Sequence, residues 1–307
     1  MSLKSLAAAL AVAIGLAPAA SSLPASAGVV PDGRTGRIVF VEFSSSAPSA
    51  SELDVVNADK SGLHTILSMP ENGMDFPRWS PDGTKVAFEM MATNQLSSHI
   101  FVVNADGTSL KQLTRGKYFD QQPSWSPDGT TIAFASDRSA NADLWVLDVA
   151  TKQVTQITSD VGADRSPAWS PDGTQIAFAS DRAGSYDIWA KTLSDGSVTR
   201  LTTSTGDDDY PAWSPGGGRI AFASDRAGDW SIYAMASDGT RLVRVTQTSS
   251  VEISPSWSPD SRRIAFDSDR GGAGFDIYVH GANGNGGYRV TNLTDQQSNA
   301  IDPDWTE

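Results

Sequence analysis

Short apolar segments bounded by polar turn residues recur along the chain from residue 37 to its end. The most regular of them reads Ile-Ala-Phe-Ala, as at Ile132–Ala135 and Ile176–Ala179. Because such a segment is apolar on both faces, it predicts a strand that is covered on both sides, with its alanines leaving room for bulky neighbours. From residue 28 onwards no segment shows a helical period, so the pattern predicts an all-β protein.

Each Ile-Ala-Phe strand is the second of a series of strand signals that follow one another in a fixed order. The first signal is Pro-x-Trp-Ser, which a turn such as Ser126–Gly129 joins to the second; its Pro fixes φ and its Gly accepts a left-handed conformation. The third begins with segments such as Asp187–Trp189 and ends at turns such as Asn104–Gly107. The fourth is short, as at Gln112–Thr114. Consecutive strands joined in this way predict an antiparallel sheet in each unit.

The whole unit repeats along the chain. Pro-x-Trp occurs at residues 77–79, 123–125, 167–169, 211–213, 255–257 and 303–305, with tryptophans 46, 44, 44, 44 and 48 residues apart. Four antiparallel strands in a period of about 44 residues are typical of a β-propeller blade. A plain sandwich would not need near-identical units, and a solenoid would need capping segments, which the sequence does not show. We therefore predict an all-β, six-bladed propeller over residues 36–307.

The two ends of the repeat region predict how the ring closes. The region opens on a strand of the second type, Arg37–Phe40, without a first strand of its own, and finishes on a lone strand of the first type, Asp302–Trp305. One strand from the C-terminus would complete a blade whose other three strands come from the N-terminus. That arrangement joins the ring and removes open sheet edges.

Residues 1–27 have the features of a secretory signal peptide. Lys4 precedes the apolar run Leu6–Leu16, which is too short to span a bilayer, and Ala25–Ala27 supplies the small residues of a cleavage site. The alternative interpretation is a membrane anchor or a disordered start. Cleavage after Ala27 would leave residues 28–35 as a short segment before the propeller and would place the protein outside the cytoplasmic membrane, secreted or periplasmic.

Composition narrows the range of partners without identifying one. The 307 residues include no cysteine, which excludes disulfides and thiolate metal sites. The formal net charge of −13 argues against nucleic acid, because phosphate binding needs a clustered basic surface. After the predicted signal peptide no apolar run is long enough for membrane insertion. We expect a monomer that binds a protein, a peptide or a cell-envelope polymer.

The repeated residues Pro-x-Trp-Ser-Pro-Asp-Gly, Ile-Ala-Phe and Ser-Asp-Arg resemble the WD40-like (PD40) repeats of the TolB propeller family, over residues 36–307. Similar propellers occur in periplasmic binding proteins, polysaccharide lyases and prolyl-peptidase-like enzymes, so the resemblance implies the fold more than the function. TolB proteins carry an α/β domain before the propeller, whereas residues 28–35 are too few for one, and that domain's contacts are not carried over. The sequence has no Gly-x-Ser-x-Gly nucleophile elbow, so we expect no peptidase activity of the prolyl-peptidase type.

Strand alternation assigns the loops to two rims. The turn rim holds the Ser-Pro-Asp-Gly turns and the Asp-Gly turns after each third strand. The loop rim holds the loops between second and third strands and the loops that lead into each Pro-x-Trp strand.

Acidic residues recur on the loop rim where the chain enters its inner strand. The position three residues before each repeated proline is occupied in chain order by Met74, Asp120, Asp164, Asp208, Glu252 and Ala300. The carboxylates at Asp120, Asp164, Asp208 and Glu252 come from consecutive blades, near the mouth of the central channel, and Asp207 and Asp209 add further charge. Hard cations take carboxylate oxygens, and carboxylates held close together repel one another. We therefore predict a site there for a divalent cation such as calcium, or for a basic ligand; the alternative is that these side chains face solvent or accept loop hydrogen bonds.

Other repeated or conspicuous residues have simpler interpretations. The Asp-Arg pairs at 137–138, 181–182, 225–226 and 269–270 could bind a ligand, but their repetition favours a tie between each loop and its own or a neighbouring blade. The turn aspartates Asp82, Asp128, Asp172 and Asp260 and the repeated tryptophans are interpreted as structural. The histidines His64, His99 and His280 are not expected to converge into a metal site or a triad. Phe43–Ser51 and Glu89–Thr93 replace Ser-Asp-Arg in the first two blades, where either a function or neutral drift would explain the departure.

These observations leave three functional hypotheses. The first is a non-enzymatic binding module that presents its loop rim to a partner, because the scaffold is rigid, the rim loops vary and no catalytic set is visible. The alternative is a small carbohydrate-active enzyme, a lyase or hydrolase, that uses rim carboxylates with a divalent cation; Asp164 and Arg165 are the nearest candidates for such a site. The third is a component of a larger cell-envelope assembly.

Overall fold

The computed structural model describes residues 36–44, 47–92, 96–272, 274–291 and 298–307. Their regular elements are β-strands, which form six four-stranded sheets with antiparallel neighbours. Among these residues no helix is long and apolar enough to cross a membrane. The predicted signal peptide (1–27) and the segment 28–35 lie outside the described residues.

Each sheet is one blade, whose strands follow one another from the central channel outwards. Blade 1 contains β24 (Ser298–Thr306), β1 (Arg37–Ser44), β2 (Ala47–Asn57) and β3 (His64–Met69). Blade 2 contains β4 (Met74–Trp79), β5 (Lys85–Met91), β6 (Ser98–Asn104) and β7 (Lys111–Gln112), and blade 3 contains β8 (Asp120–Trp125), β9 (Thr131–Ser136), β10 (Asp143–Asp148) and β11 (Val154–Gln156). Blade 4 contains β12 (Asp164–Trp169), β13 (Gln175–Ser180), β14 (Asp187–Thr192) and β15 (Val198–Arg200), and blade 5 contains β16 (Asp208–Trp213), β17 (Arg219–Ser224), β18 (Ser231–Ala236) and β19 (Val243–Arg244). Blade 6 contains β20 (Glu252–Trp257), β21 (Arg263–Ser268), β22 (Asp276–Gly281) and β23 (Tyr288–Arg289).

The C-terminal strand closes the ring, as the sequence predicts. β24 pairs antiparallel with β1, and Trp305 stands opposite Ile38 in the register. Trp305 is buried, and it shares a core cluster with residues of blade 6, including Ala265. The β24 side chain Asp304 also accepts a 2.7 Å hydrogen bond from the backbone N–H of Trp79 in blade 2. The closing strand is therefore held by its own sheet and by both neighbouring blades.

Aromatic side chains in one blade pack against alanines in the next. Each blade buries one phenylalanine completely: Phe40, Phe88, Phe134, Phe178, Phe222 and Phe266. Ala221 and Ala223 of blade 5 lie in one cluster with Trp257 and Phe266 of blade 6. This confirms the prediction that the second strands are covered on both faces. Four of the six repeated tryptophans are buried, whereas Trp169 and Trp213 are half-buried.

Every inner strand contains a bulge immediately before its proline. The register with the second strand shifts there, for example between Gln121 and Ser124 in blade 3. The residue before each proline has φ between 50° and 55°: Phe76, Gln122, Ser166, Tyr210, Ser254 and Asp302. Non-glycine residues in this conformation cost roughly 1–3 kcal/mol each, so surrounding contacts must hold them. At one such contact the Ser166 N–H donates to Oε1 of Gln122 in the preceding blade, at 2.9 Å.

Two of these strained residues meet across the central channel. The rings of Phe76 in blade 2 and Tyr210 in blade 5 stack with centroids 6.0 Å apart and an interplanar angle of 21°. Blades 2 and 5 stand opposite each other in the ring, so the pair spans the channel. A cavity of about 200 Å³ adjoins the Phe76–Tyr210 pair and extends towards the turn rim. The Pro-x-Trp segments line it, with residues such as Arg78 and Trp213.

Truncating Trp305 should destabilise the whole propeller. We expect Trp305→Ala to lower the free energy of unfolding by roughly 3–5 kcal/mol, because it leaves a cavity between blades 1 and 6. Deletion of residues 302–307 should cost more, since it also exposes the edge of β1. Urea unfolding of both proteins measures these losses, with removal of the exposed Glu307 alone as the control. A truncated protein as stable as the intact one would contradict the closure by β24.

Candidate functional site

The four carboxylates predicted to surround the channel mouth are buried in ion pairs. Each is the first residue of its inner strand and is 0% exposed. Each pairs with an arginine eighteen residues later in the same blade: Asp120–Arg138 at 2.5 Å, Asp164–Arg182 at 2.8 Å, Asp208–Arg226 at 2.7 Å, and Glu252–Arg270. Bonds of this kind between charged groups are stronger than those between neutral groups.

The serine and the aspartate of Ser-Asp-Arg add hydrogen bonds around this ion pair. In blade 3 the Ser136 hydroxyl donates to Asp120 Oδ1 at 2.6 Å and accepts from Arg138 Nε at 3.0 Å. Asp137 Oδ1 accepts from the Phe119 N–H at 2.9 Å. The corresponding aspartates Asp181, Asp225 and Asp269 accept from the backbone of the same loop in their own blades. We call this set, an inner-strand carboxylate with its Ser-Asp-Arg, the arginine lock.

Two aromatic rings lie beside each of these guanidinium groups. The Cζ atom of Arg138 lies 5.3 Å from the centroid of Phe134 and 5.3 Å from that of Trp145. Arg182, Arg226 and Arg270 lie over the corresponding phenylalanine and third-strand aromatic residue in blades 4, 5 and 6. Cation–π attraction adds to the ion pair in such an arrangement. Ser-Asp-Arg thus ties each loop to its own blade, as its repetition suggested.

Cation binding by Asp120, Asp164, Asp208 and Glu252 stays a prediction. Calcium at these oxygens would compete with guanidinium groups that already neutralise the carboxylates. The mutual repulsion expected among the four carboxylates is therefore offset by the arginine that pairs with each of them in its own blade.

The two residues considered for lyase chemistry belong to separate ion pairs. Both oxygens of Asp164 accept from Arg182, at 2.8 and 2.9 Å, whereas Arg165 pairs with Asp209 of the next blade at 2.8 Å. The Arg165 guanidinium also lies 3.5 Å from the centroid of the Tyr186 ring. Burial lowers the pKa of Arg165, but the charges of Asp209 and of the neighbouring Tyr186, Tyr210 and Asp207 together outweigh burial and raise it above the ordinary value. Arg165 is therefore a fixed positive charge whose side chain is 30% exposed on the loop rim.

A second charged network, not anticipated from the sequence, holds the outer strands. Asp187 at the start of β14 pairs with Arg200 at the end of β15 at 2.5 Å, and Asp276 pairs with Arg289 in blade 6. The constant spacing of thirteen residues between partners was a signal that could have revealed these pairs. Burial raises the pKa of Asp187, and the Arg200 hydrogen bond and charge oppose that increase.

The turn aspartates and the histidines have local partners. Asp128 Oδ1 accepts from the Ser126 and Thr130 hydroxyls at 2.6 and 2.9 Å, and these bonds lower the pKa of the exposed Asp128 carboxyl. His64 contacts the Gly62 carbonyl and His280 the Gly281 carbonyl, and His99 lies 3.8 Å from Asp120. Within the described residues the histidines do not form part of a group with metal-ligand spacing.

The two blades that lack Ser-Asp-Arg carry acidic residues in the corresponding region. In blade 2 Glu89 occupies an alanine position of the repeat and accepts the Gln122 N–H at 2.7 Å. In blade 1 one carboxylate oxygen from each of Glu42, Glu52 and Asp54 lies within 4.8 Å of the others. Sequence reasoning missed this second group, because it depends on how β1 pairs with β2.

Comparison with known proteins places the chain in a family. It matches the family described as the TolB beta propeller domain over residues 35–210 and 204–306. The chain therefore belongs to the TolB beta-propeller family. No curated protein sequence gives a significant match.

One solved structure supports the same assignment, and two others share the fold. The chain is similar to TolB from Acinetobacter baumannii, with 26% identity and a TM-score of 0.79, over 88% of this chain and 66% of that protein. It is also similar to a TolB from Agrobacterium tumefaciens, with 20% identity and a TM-score of 0.70, over 89% and 99% of the two chains. An oligogalacturonate lyase from Vibrio parahaemolyticus shares 14% identity and a TM-score of 0.53 over 84% and 74% of the chains, which shows a common fold alone.

Removing the carboxylate of one arginine lock should destabilise the protein. We expect Asp208→Ala to lower the free energy of unfolding by about 3–5 kcal/mol, because it leaves the largely buried Arg226 guanidinium unpaired. Adding Arg226→Met should recover part of the loss, and urea unfolding of the four proteins of this cycle measures the coupling. Asp229→Ala, at an exposed position nearby, is the control. If repulsion among the carboxylates dominated, Asp208→Ala would stabilise the protein instead.

Proposed function

We propose that this protein is a secreted or periplasmic interaction module that binds a protein partner through its loop rim. The observation that carries the proposal is the different chemistry of the two rims. The loop rim carries the two most exposed large apolar side chains and several aromatic residues beside Arg165, whereas on the turn rim the exposed apolar side chains are more covered and lie among charged carboxylates.

The two most exposed large apolar side chains lie on the loop rim. Val161 is 98% exposed and Leu96 is 70% exposed, more than any other large apolar residue described. Three consecutive blades add a half-exposed aromatic residue just before their third strands: Tyr186, Trp230 and Phe275. Aromatic and arginine side chains are enriched where proteins bind one another. Arg165, stacked on Tyr186, supplies a positive group among them.

The turn rim offers a different surface. Hydrogen bonds from neighbouring hydroxyls and backbone N–H groups lower the pKa of Asp106, Asp128, Asp172 and Asp238, so these exposed carboxylates stay charged. Charged carboxylates are depleted at the centres of protein interfaces. The exposed apolar side chains of this rim, Leu63, Leu110, Leu242 and Val243, are 36–50% exposed, less than Val161 and Leu96. The turn rim therefore suits a protein partner less well than the loop rim.

Site-specific cross-linking tests the proposal. A benzophenone side chain at Val161 or Leu96 should give a discrete adduct with one envelope protein in cells, whereas one at Leu63, 50% exposed on the turn rim, should give none. Val161→Asp should weaken the captured interaction without changing the melting temperature, because this side chain makes little contact with the core. Equal cross-linking from both rims would contradict the proposal.

The proposed location has its own test. We expect protein recovered from outside the cytoplasm to begin at Gly28, because Ala25 and Ala27 occupy the small-residue positions of the cleavage site. Mass spectrometry of the intact protein distinguishes this from a chain that retains residues 1–27. Recovery of the unprocessed chain in the cytoplasm would overturn secretion while leaving the propeller unaffected.

A further inference from the structure

The acidic group in blade 1 occupies the place that the arginine lock occupies in blades 3–6. In blade 3 the register aligns Asp120 with Ser136, and Ser136 with Asp143. In blade 1 the same positions are Ala300, Glu42 and Glu52. The third-strand aromatic beside the buried phenylalanine, Trp145 opposite Phe134, corresponds to Asp54 opposite Phe40.

In blade 3 the arginine of Ser-Asp-Arg marks a place beside the inner and second strands that is occupied by a positive group. The Arg138 guanidinium contacts Asp120 and Ser136 and lies beside Phe134 and Trp145. Blade 1 changes three of these four surroundings: alanine replaces Asp120, and the carboxylates Glu42 and Asp54 replace the serine and the tryptophan. Glu52 stands at the position of Asp143, so its carboxylate is kept. Within the described residues no lysine or arginine pairs with Glu42, Glu52 or Asp54. In blade 1, carboxylates therefore occupy register positions that surround a guanidinium in blade 3.

The geometry of the group suits one metal ion. Each carboxylate places an oxygen within 4.8 Å of the other two, and two oxygens bound to one calcium at 2.3–2.6 Å can be at most about 5 Å apart. Asp54 is only 2% exposed; its carboxylate has hydrogen bonds with Glu42 and Thr65, but one of its oxygens, Oδ1, is buried without a hydrogen-bond partner. Glu42 and Glu52 are half-exposed, so solvent reaches the group.

Without a cation this group is unfavourable at neutral pH. Burial first, and then the hydrogen bond and charge of Glu42, raise the pKa of Asp54 from 3.8 to about 7. The folded protein therefore holds more protons than the unfolded chain between these values, and stability falls as the pH rises through that range.

We propose that Glu42, Glu52 and Asp54 bind a divalent cation of the calcium type, which does in blade 1 what the arginine does in blades 3–6. The ion would neutralise the carboxylates and hold β1 to β2 beside the seam that closes the ring. Carboxylate oxygens are the ligands that such hard cations prefer. Three carboxylates also carry more charge than one guanidinium could neutralise, which favours a divalent ion over an arginine from a partner.

Urea unfolding with calcium chloride and with chelator tests this site. At pH 8 we expect about 10 mM calcium to lower the unfolding equilibrium constant roughly tenfold to a hundredfold, for dissociation constants on the order of 10⁻³ to 10⁻⁴ M. Sodium chloride of equal ionic strength is the control for screening.

Variants distinguish this group from the other acidic residues. Asp54→Asn should abolish the calcium response and stabilise the calcium-free protein at pH 8, and Glu42→Gln should weaken the response. Asp106→Asn, on the exposed turn rim, should leave it unchanged. Asp164→Asn should also retain it; loss of the response only in that variant would assign the ion to the loop-rim carboxylates. Absence of any calcium effect on the wild type, or its survival in Asp54→Asn, would overturn the proposal, and a response to free arginine alone would indicate a guanidinium site.

Discussion

A buried ion pair between the first residue of the inner strand and the arginine of Ser-Asp-Arg organises four of the six blades. The carboxylate is completely buried, and its partner is confined by a serine hydroxyl and two aromatic rings. Because an unpaired charge at this depth would be costly, the pair fixes two loops of the rim at once. The variable residues of the loop rim are built on that fixed base.

The lock also explains the distribution of charge. Many of the acidic residues that give the chain its net charge of −13 are engaged inside blades or in turns, so net charge alone says little about a partner. Blades 1 and 2 lack this arginine and have acidic side chains in the corresponding region. Glu89 serves as an acceptor for the strained backbone of the next blade, whereas Glu42, Glu52 and Asp54 bring negative charge together.

The two rims of the propeller differ in how much their loops vary from blade to blade. On the turn rim, each Ser-Pro-Asp-Gly turn is closed by local hydrogen bonds and varies little between blades. On the loop rim, the lock fixes the start of each loop, and the residues beyond it differ from blade to blade. The Phe76–Tyr210 stack spans the channel between the rims.

The sequence by itself determined the blade number, the order of strands within each blade and closure by the last strand, because these follow from local patterns repeated at a fixed interval. It also placed the buried phenylalanines and the loop-rim carboxylates correctly along their strands. The partners of those carboxylates were decided by folding, since Asp120 meets Arg138 only when the loop after β9 folds back onto β8. The meeting of Phe76 with Tyr210 needs the closed ring, and that of Glu42 with Glu52 and Asp54 needs the register of β1 with β2. Such contacts depend on distances between strands, which one-dimensional patterns do not contain.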